Sequence, residues 1–168
     1  IKGQYVADTG DFDAIINTQD LPLGTFTKDM TTPITGNIDG EIRILGKNNQ
    51  VTDAVGAVEG RQIGIHGVVV DTVKANFTHA DNRTNITVVG TMGDGTLSGY
   101  GYIQNGNVDA TISGNALPLT ALSPIIGQDV DGTLNTSFAI KGIVDNPNVT
   151  GTVWGQEVHY KGARFNNI

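Results

Sequence analysis

Apolar and polar residues alternate along most of this chain with a period of two, the spacing of a strand with one apolar and one solvated face. Ile34, Ile38, Ile42 and Ile44 keep one parity; Val130, Leu134, Phe138 and Ile140 keep the same parity further on. Turn chemistry cuts the alternation into hairpins. Asn105-Gly106 is the strongest short hairpin signal and pairs Ile103 with Val108 and Gly99 with Ile112. Asp81-Asn82 pairs Phe77 with Ile86, and Asp94-Gly95 pairs Met92 with Leu97. Thr9-Gly10 pairs Ala7 with Phe12 and Gly3 with Ile16. Each turn puts apolar residues on one shared face, and Lys, Asp, Asn, Thr and Gln fall on the other.

Two stretches, GAVEGRQIGIHG (56–67) and GTVWGQEVHYKG (151–162), carry three glycines at the same intervals. Turns at Gly60-Arg61 and Gly155-Gln156 would set Val58 against Ile63 and Val153 against Val158. Gly56 then faces Ile65, and Gly151 faces Tyr160, so that a large side chain shields a bare backbone. Gly67 and Gly162 face Ala54 and Val149. Residues 67–79 keep one apolar parity without a clear turn. Residues 18–33 and 114–129 do not read as strands. A short helix fits near Thr120 to Ile126, held to about a turn by Pro124.

The pattern repeats. Displaced by 96 residues, Gly3 meets Gly99, Gly10 meets Gly106, Leu21-Pro22-Leu23 meets Leu117-Pro118-Leu119, and Gly36 meets Gly132. After one deletion the displacement is 95, and Gly56, Val58, Gly60 and Gly67 meet Gly151, Val153, Gly155 and Gly162. The chain reads as one β segment over 1–168, a fragment of a longer protein. Its first unit is 1–96 and its second, truncated, is 97–168.

Composition fits an all-β fold: 168 residues with 23 Gly and 5 Pro, rich in Asn, Thr, Val and Ile. The net charge of −7 argues against nucleic acid as a partner. With 0 Cys, no disulfide framework exists. No apolar run approaches membrane-spanning length and no leader peptide is evident.

An apolar sheet face must be covered by a second sheet, a helix, the sheet's own curl or a ligand. No long amphipathic helix is available. A curled antiparallel meander of roughly a dozen strands makes a U-shaped trough on the order of 60 Å long. Its apolar lining suits acyl chains, which ask for no hydrogen bonds. The expected lining residues are Ile38, Ile42, Val58, Ile63, Ile65, Phe77, Ile86, Leu97, Ile103, Val108, Ile112, Leu134, Phe138, Ile140, Val153, Val158 and Tyr160. Trp154 falls on the opposite face.

The run from Leu117 to Gly155 resembles a TamB repeat. It has an LPL start, a strand entered through Val130-Asp131-Gly132, a glycine at the strand end (Gly142), and an Asn146-Pro147 step leading to Val149-Thr150-Gly151. The first unit departs from this pattern, with Lys47-Asn48-Asn49-Gln50 where Asn-Pro should stand. The resemblance implies an AsmA-like, taco-shaped β groove, periplasmic and anchored at the inner membrane of a diderm bacterium. It implies phospholipid as cargo and an outer-membrane barrel of the TamA or BamA kind as a partner.

Signals for catalysis are poor, and no cofactor or metal is expected. His66, His79 and His159 lack metal-ligand spacing and read as exposed strand residues. DTGDFD (8–13) lacks the Gly and distal Glu of a calcium loop and reads as a turn, as do VDNPN (144–148) and TMGDG (91–95). The sequons at Asn76, Asn82, Asn85, Asn135 and Asn148 follow from an Asn- and Thr-rich composition. The main alternative is a surface adhesin or β-solenoid with a closed core and no ligand; a carbohydrate-binding sandwich and an enzyme rank lower.

Overall fold

The computed structural model describes residues 2–127 and 130–167. Its strands are β1 (Lys2–Val6), β2 (Asp11–Pro22), β3 (Ile34–Lys47), β4 (Gln50–Ile65), β5 (Val68–Ala80) and β6 (Arg83–Met92). They continue as β7 (Gly95–Gln104), β8 (Asn107–Pro118), β9 (Val130–Ile143), β10 (Asn146–Tyr160) and β11 (Ala163–Asn167). All 11 form one antiparallel sheet in chain order, and β1 does not pair with β11, so the sheet is open. A helical turn α1 (Gly24–Thr27) joins β2 to β3. Between β8 and β9 the chain makes a 3-10 turn (Leu119–Leu122) and a helical turn α2 (Ser123–Ile126). Pro124 sits in the first turn of α2, where its missing N–H costs nothing, and Gly127 ends it at φ 70.

The tight turns follow the twist of the strands. Asn48-Asn49, His66-Gly67, Asp81-Asn82, Asn105-Gly106 and Lys161-Gly162 all have two left-handed residues in succession. The predicted turns at Asp81-Asn82 and Asn105-Gly106 stand, with Phe77 opposite Ile86 and Ile103 opposite Val108. Others move. The predicted turns at Gly60-Arg61 and Gly155-Gln156 lie inside β4 and β10, whose turns come at His66-Gly67 and Lys161-Gly162. An interior strand glycine marks close approach by a neighbour as readily as a turn, and that is its use here. Phe77 and Ile42 lie over Gly56, and Phe138 lies over Gly151, in place of the expected Ile65 and Tyr160.

The β6–β7 turn is Gly93-Asp94, so Met92 faces Gly95 and Leu97 faces Gly90. The β1–β2 connection is a loop over 7–10 closed by the Gly10 N–H donating to the Val6 carbonyl at 2.8 Å. Tyr5 therefore faces Phe12, and Gly3 faces Ala14. Residues 68–80 are a single strand, with turns only at its ends. The stretches read as non-strand are strand as far as Pro22 and Pro118.

Among the described residues, five register slips shape the strands: at one, Thr52 is the extra residue between Val51 and Asp53, and each of the other four carries a left-handed residue that is not glycine. Asp20, Gln62, Ala116 and Glu157 take φ of 50, 51, 50 and 50, each where the register slips by a residue. These are β-bulges, which insert one residue and bend the strand. After a bulge, the residue three positions on returns to the same face. Ile63 lies over Gly60 and Leu117 over Gly114. Side chains from the neighbouring strand satisfy two of the bulges: Asp39 Oδ1 accepts the Asp20 N–H at 2.6 Å, and Asn135 Oδ1 accepts the Ala116 N–H at 2.9 Å. Opposite the other two stand Gly36 and Gly132, with φ of 106 and 117. A Cβ on Gly36 would come within 2.5 Å of the Gln62 carbonyl, and one on Gly132 within 2.8 Å of the Glu157 carbonyl.

The sheet encloses little. The surface area is 10786 Å², against about 7,900 Å² expected of a compact monomer of this mass. Buried apolar side chains among the described residues are Met92, Leu117, Leu119 and Val158. Three of them gather where the β8–β9 connection packs beside the β6–β7 turn. There Pro118 approaches Gly93, and Asp71 Oδ2 accepts the Gly93 N–H at 2.7 Å.

Candidate functional site

The register sorts side chains onto two faces of different chemistry. Phe12 faces Gly46, Ile16 faces Ile42, Ile42 faces Gly56, and Gly56 faces Phe77. The row continues through Ile86, Gly101, Ala110, Ile140 and Val149. Directly opposed residues share a face, so this row crosses the sheet from β2 to β10. The next rows hold Ile38, Val58, Val73, Val88, Leu97, Ile103, Val108, Ile112, Leu134, Phe138 and Val153, all at the same parity.

Ile63 and Ile65 reach this face through the Gln62 bulge, opposite Val70 and Val68. Val158 and Tyr160 follow the Glu157 bulge in the same way, opposite Phe165 and Ala163. The residues expected to line a trough thus come together on one side, although two of the turns used to place them do not exist. A bulge shifts parity by one residue, as the supposed turns did.

Tyr5, Val73, Val88 and Val149 join the face without having been expected there, while Phe12, expected on it, faces Tyr5 instead of Ala7. Val73 and Val88 carried the signal, because they continue the parity of Phe77 and Ile86. His79 also lies on this face, opposite Ala54 and Thr84, with Nδ1 2.8 Å from Thr84 Oγ1. That corrects its reading as an exposed residue. His66 sits in the β4–β5 turn, with Nε2 3.2 Å from Thr32 Oγ1, rather than within a strand.

The face is uncovered over much of its extent. Val149 and Val153 are 57% and 53% exposed, and Ile112 and Ile65 are 42% and 41% exposed. Across β6, β7 and β8 it forms a concavity of about 290 Å³ whose walls include Ile86, Val88, Leu97, Ile103, Val108 and Ile112. Gly99 and Gly101 keep its floor low, since their backbone carries no side chain into it.

The opposite face is charged and cross-linked. Arg43 holds Asp13 with Nε at 3.0 Å and Nη2 at 2.7 Å, a bidentate pair. Arg61 bridges Asp39 and Asp20, Lys74 pairs with Glu59 at 3.3 Å, and Lys141 with Asp109 at 3.5 Å. Hydrogen bonding to Arg43, and then its charge, holds the Asp13 carboxyl below the usual carboxylate range. Arg61 does the same to Asp39, helped by the Asp20 N–H. Arg83 stacks over the Tyr102 ring at 3.6 Å. Trp154, opposite Asn135, is on this face as expected.

No cluster of three or more His, Asp or Glu side chains with metal-binding geometry occurs among the described residues. Asp13 of the DTGDFD stretch is engaged by Arg43. No helix among the described residues is long and apolar enough to cross a membrane. No family model, curated protein or solved structure matches the chain.

Proposed function

We propose that this chain is a segment of a periplasmic lipid conduit, carrying phospholipid acyl chains along the apolar face of its sheet between the inner and outer membranes of a diderm bacterium. Two related units of about 96 residues build the trough, curled around that face. The observation that carries the reading is one open sheet with most of its large apolar side chains on one largely uncovered face and its ion pairs on the other, where only scattered apolar residues such as Val55, Val89 and Ile143 stand. An exposed apolar surface of this extent marks a binding surface in a stable protein. Acyl chains fit it chemically: each buried methylene contributes about 0.8 kcal/mol and leaves no polar atom unpaired.

The ion-pair ladder keeps the convex side solvated and restricts lipid to one face. A lining without charges also lacks deep local traps, which favours sliding over storage. The full protein is read as anchored in the inner membrane and as meeting an outer-membrane barrel protein of the TamA or BamA kind.

Native mass spectrometry of the purified chain is expected to show co-purified phospholipid. Photo-crosslinking side chains at Phe77, Ile86 and Phe138 are expected to yield lipid adducts, and those at Thr87, Val89 and Thr150 none. Adducts confined to the second group would sink the proposal. Phe138→Asp should abolish lipid binding while circular dichroism retains the strand signal.

A further inference from the structure

The apolar face is not uniform along its length. On β5 the Phe77 ring leans over Gly56 of β4, and on β9 the Phe138 ring leans over Gly151 of β10. Both rings turn away from β6, β7 and β8, and no aromatic side chain of those three strands shares the face. The two phenylalanines stand four strand steps apart, roughly 19 Å. Between them lies the concavity floored by Gly99 and Gly101. A methylene takes about the room of a water molecule, roughly 30 Å³, so the concavity of about 290 Å³ holds on the order of ten of them, one alkyl chain rather than a pair. Extended, these would run roughly 13 Å with carbon–carbon bonds of about 1.5 Å, which fits between the phenylalanines.

His79 lies beside this concavity. Its row passes through Thr84 to Ile103 and Val108, both of them walls of the concavity. Thr84 Oγ1, 2.8 Å from Nδ1, fixes the ring, and Nε2 has no hydrogen-bond partner among the described residues. No Lys or Arg side chain of β2 to β10 shares this face. His79 is thus the exception in a lining otherwise unable to carry positive charge. We infer that β5 to β9 form a stopping place for one phospholipid, with an acyl chain in the concavity and the phosphate at His79 Nε2. Charge and position argue for this occupant. The concavity suits a chain with no polar atom to satisfy, and the donor at its rim meets the anionic oxygens that a phospholipid carries at the end of that chain. The inference rests on the lipid reading above and adds where along the face a lipid halts and which residue holds it.

The test titrates the delipidated chain by calorimetry with dodecanoyl lysophosphatidylglycerol and with dodecyl maltoside, an uncharged amphiphile of similar chain length, each below its micelle concentration. Gly99→Leu fills the floor, where the nearest atom to a Cβ is the Thr111 carbonyl at 3.3 Å, and should weaken both ligands about tenfold or more. Ala110→Leu, on the same wall, replaces it if circular dichroism shows Gly99→Leu to have lost its strands. His79→Ala should weaken lysophosphatidylglycerol about tenfold, the scale of a hydrogen bond to a charged group, and leave dodecyl maltoside unchanged. His79→Lys should restore the lysophosphatidylglycerol affinity. Unchanged binding in a folded filling variant, or an effect of His79→Ala that is absent or the same for both ligands, overturns the stopping place alone, since the native chain still binds lipid. A native chain that binds neither ligand overturns the lipid reading and the stopping place with it.

Discussion

Gly36 shows how much one residue carries. Its φ of 106 lies where a side chain is strained, and a Cβ would strike the carbonyls of the facing bulge. Gly36→Ala is expected to cost about 2–4 kcal/mol, read as a fall in the urea midpoint. Gly106 has φ 73 with nothing within 4 Å of its Cβ position, so Gly106→Ala should cost only about 1 kcal/mol for the left-handed backbone. Charge acts at this scale as well. Asp13 and Asp39 have folded-state pKa values below their ordinary one. Their contribution is therefore present above the unfolded value of about 3.9 and is lost as pH falls through the folded values. The thermal midpoint should drop below about pH 4, and a variant with both Asp13→Asn and Asp39→Asn should drop less steeply over that range, as circular dichroism melts would show.

Strands here are defined as much by their bulges as by their alternation. The bulge at Ala116 leaves an N–H for Asn135, which is 6% exposed, to satisfy. Asn135→Ala should lower stability by about 1–3 kcal/mol, because it strands a buried donor. Asn135→Asp should be tolerated better, since Asp39 fills the same role at Asp20. Deleting Gln62 tests the bulge itself. Without the inserted residue, strict alternation after Gly60 and Arg61 still brings Ile63 and Ile65 to the apolar face, so chemical unfolding should show a loss of only about 1 kcal/mol or less. The parity of these residues was legible in the sequence, but the device that sets it was not. An αL bulge at Gln62 or Glu157 has no glycine or asparagine to announce it, and the glycines nearby point to a turn that is not made.

The molecule as a whole is a sheet without a second layer. Its surface exceeds that of a compact protein of its mass by about a third, so unfolding exposes less new surface than usual. Urea unfolding should therefore show a shallower denaturant slope than a compact domain of equal length. Lipid bound along the apolar face would raise the unfolding midpoint by mass action. A chain that closed its core on itself would show neither effect.

Alternation, turn residues and composition were enough to establish an antiparallel, all-β chain and to group its apolar residues by face. These are local properties: side chains two apart point the same way, and asparagine and glycine adopt left-handed turns wherever they stand. Tertiary structure alone decided which glycines turn the chain and which lie beneath a neighbour's ring, because that depends on a strand distant in sequence. It likewise decided that the sheet stays open and that Leu117 and Leu119 are buried while Phe26 is not, since burial is set by the elements that happen to pack nearby and no local pattern encodes it.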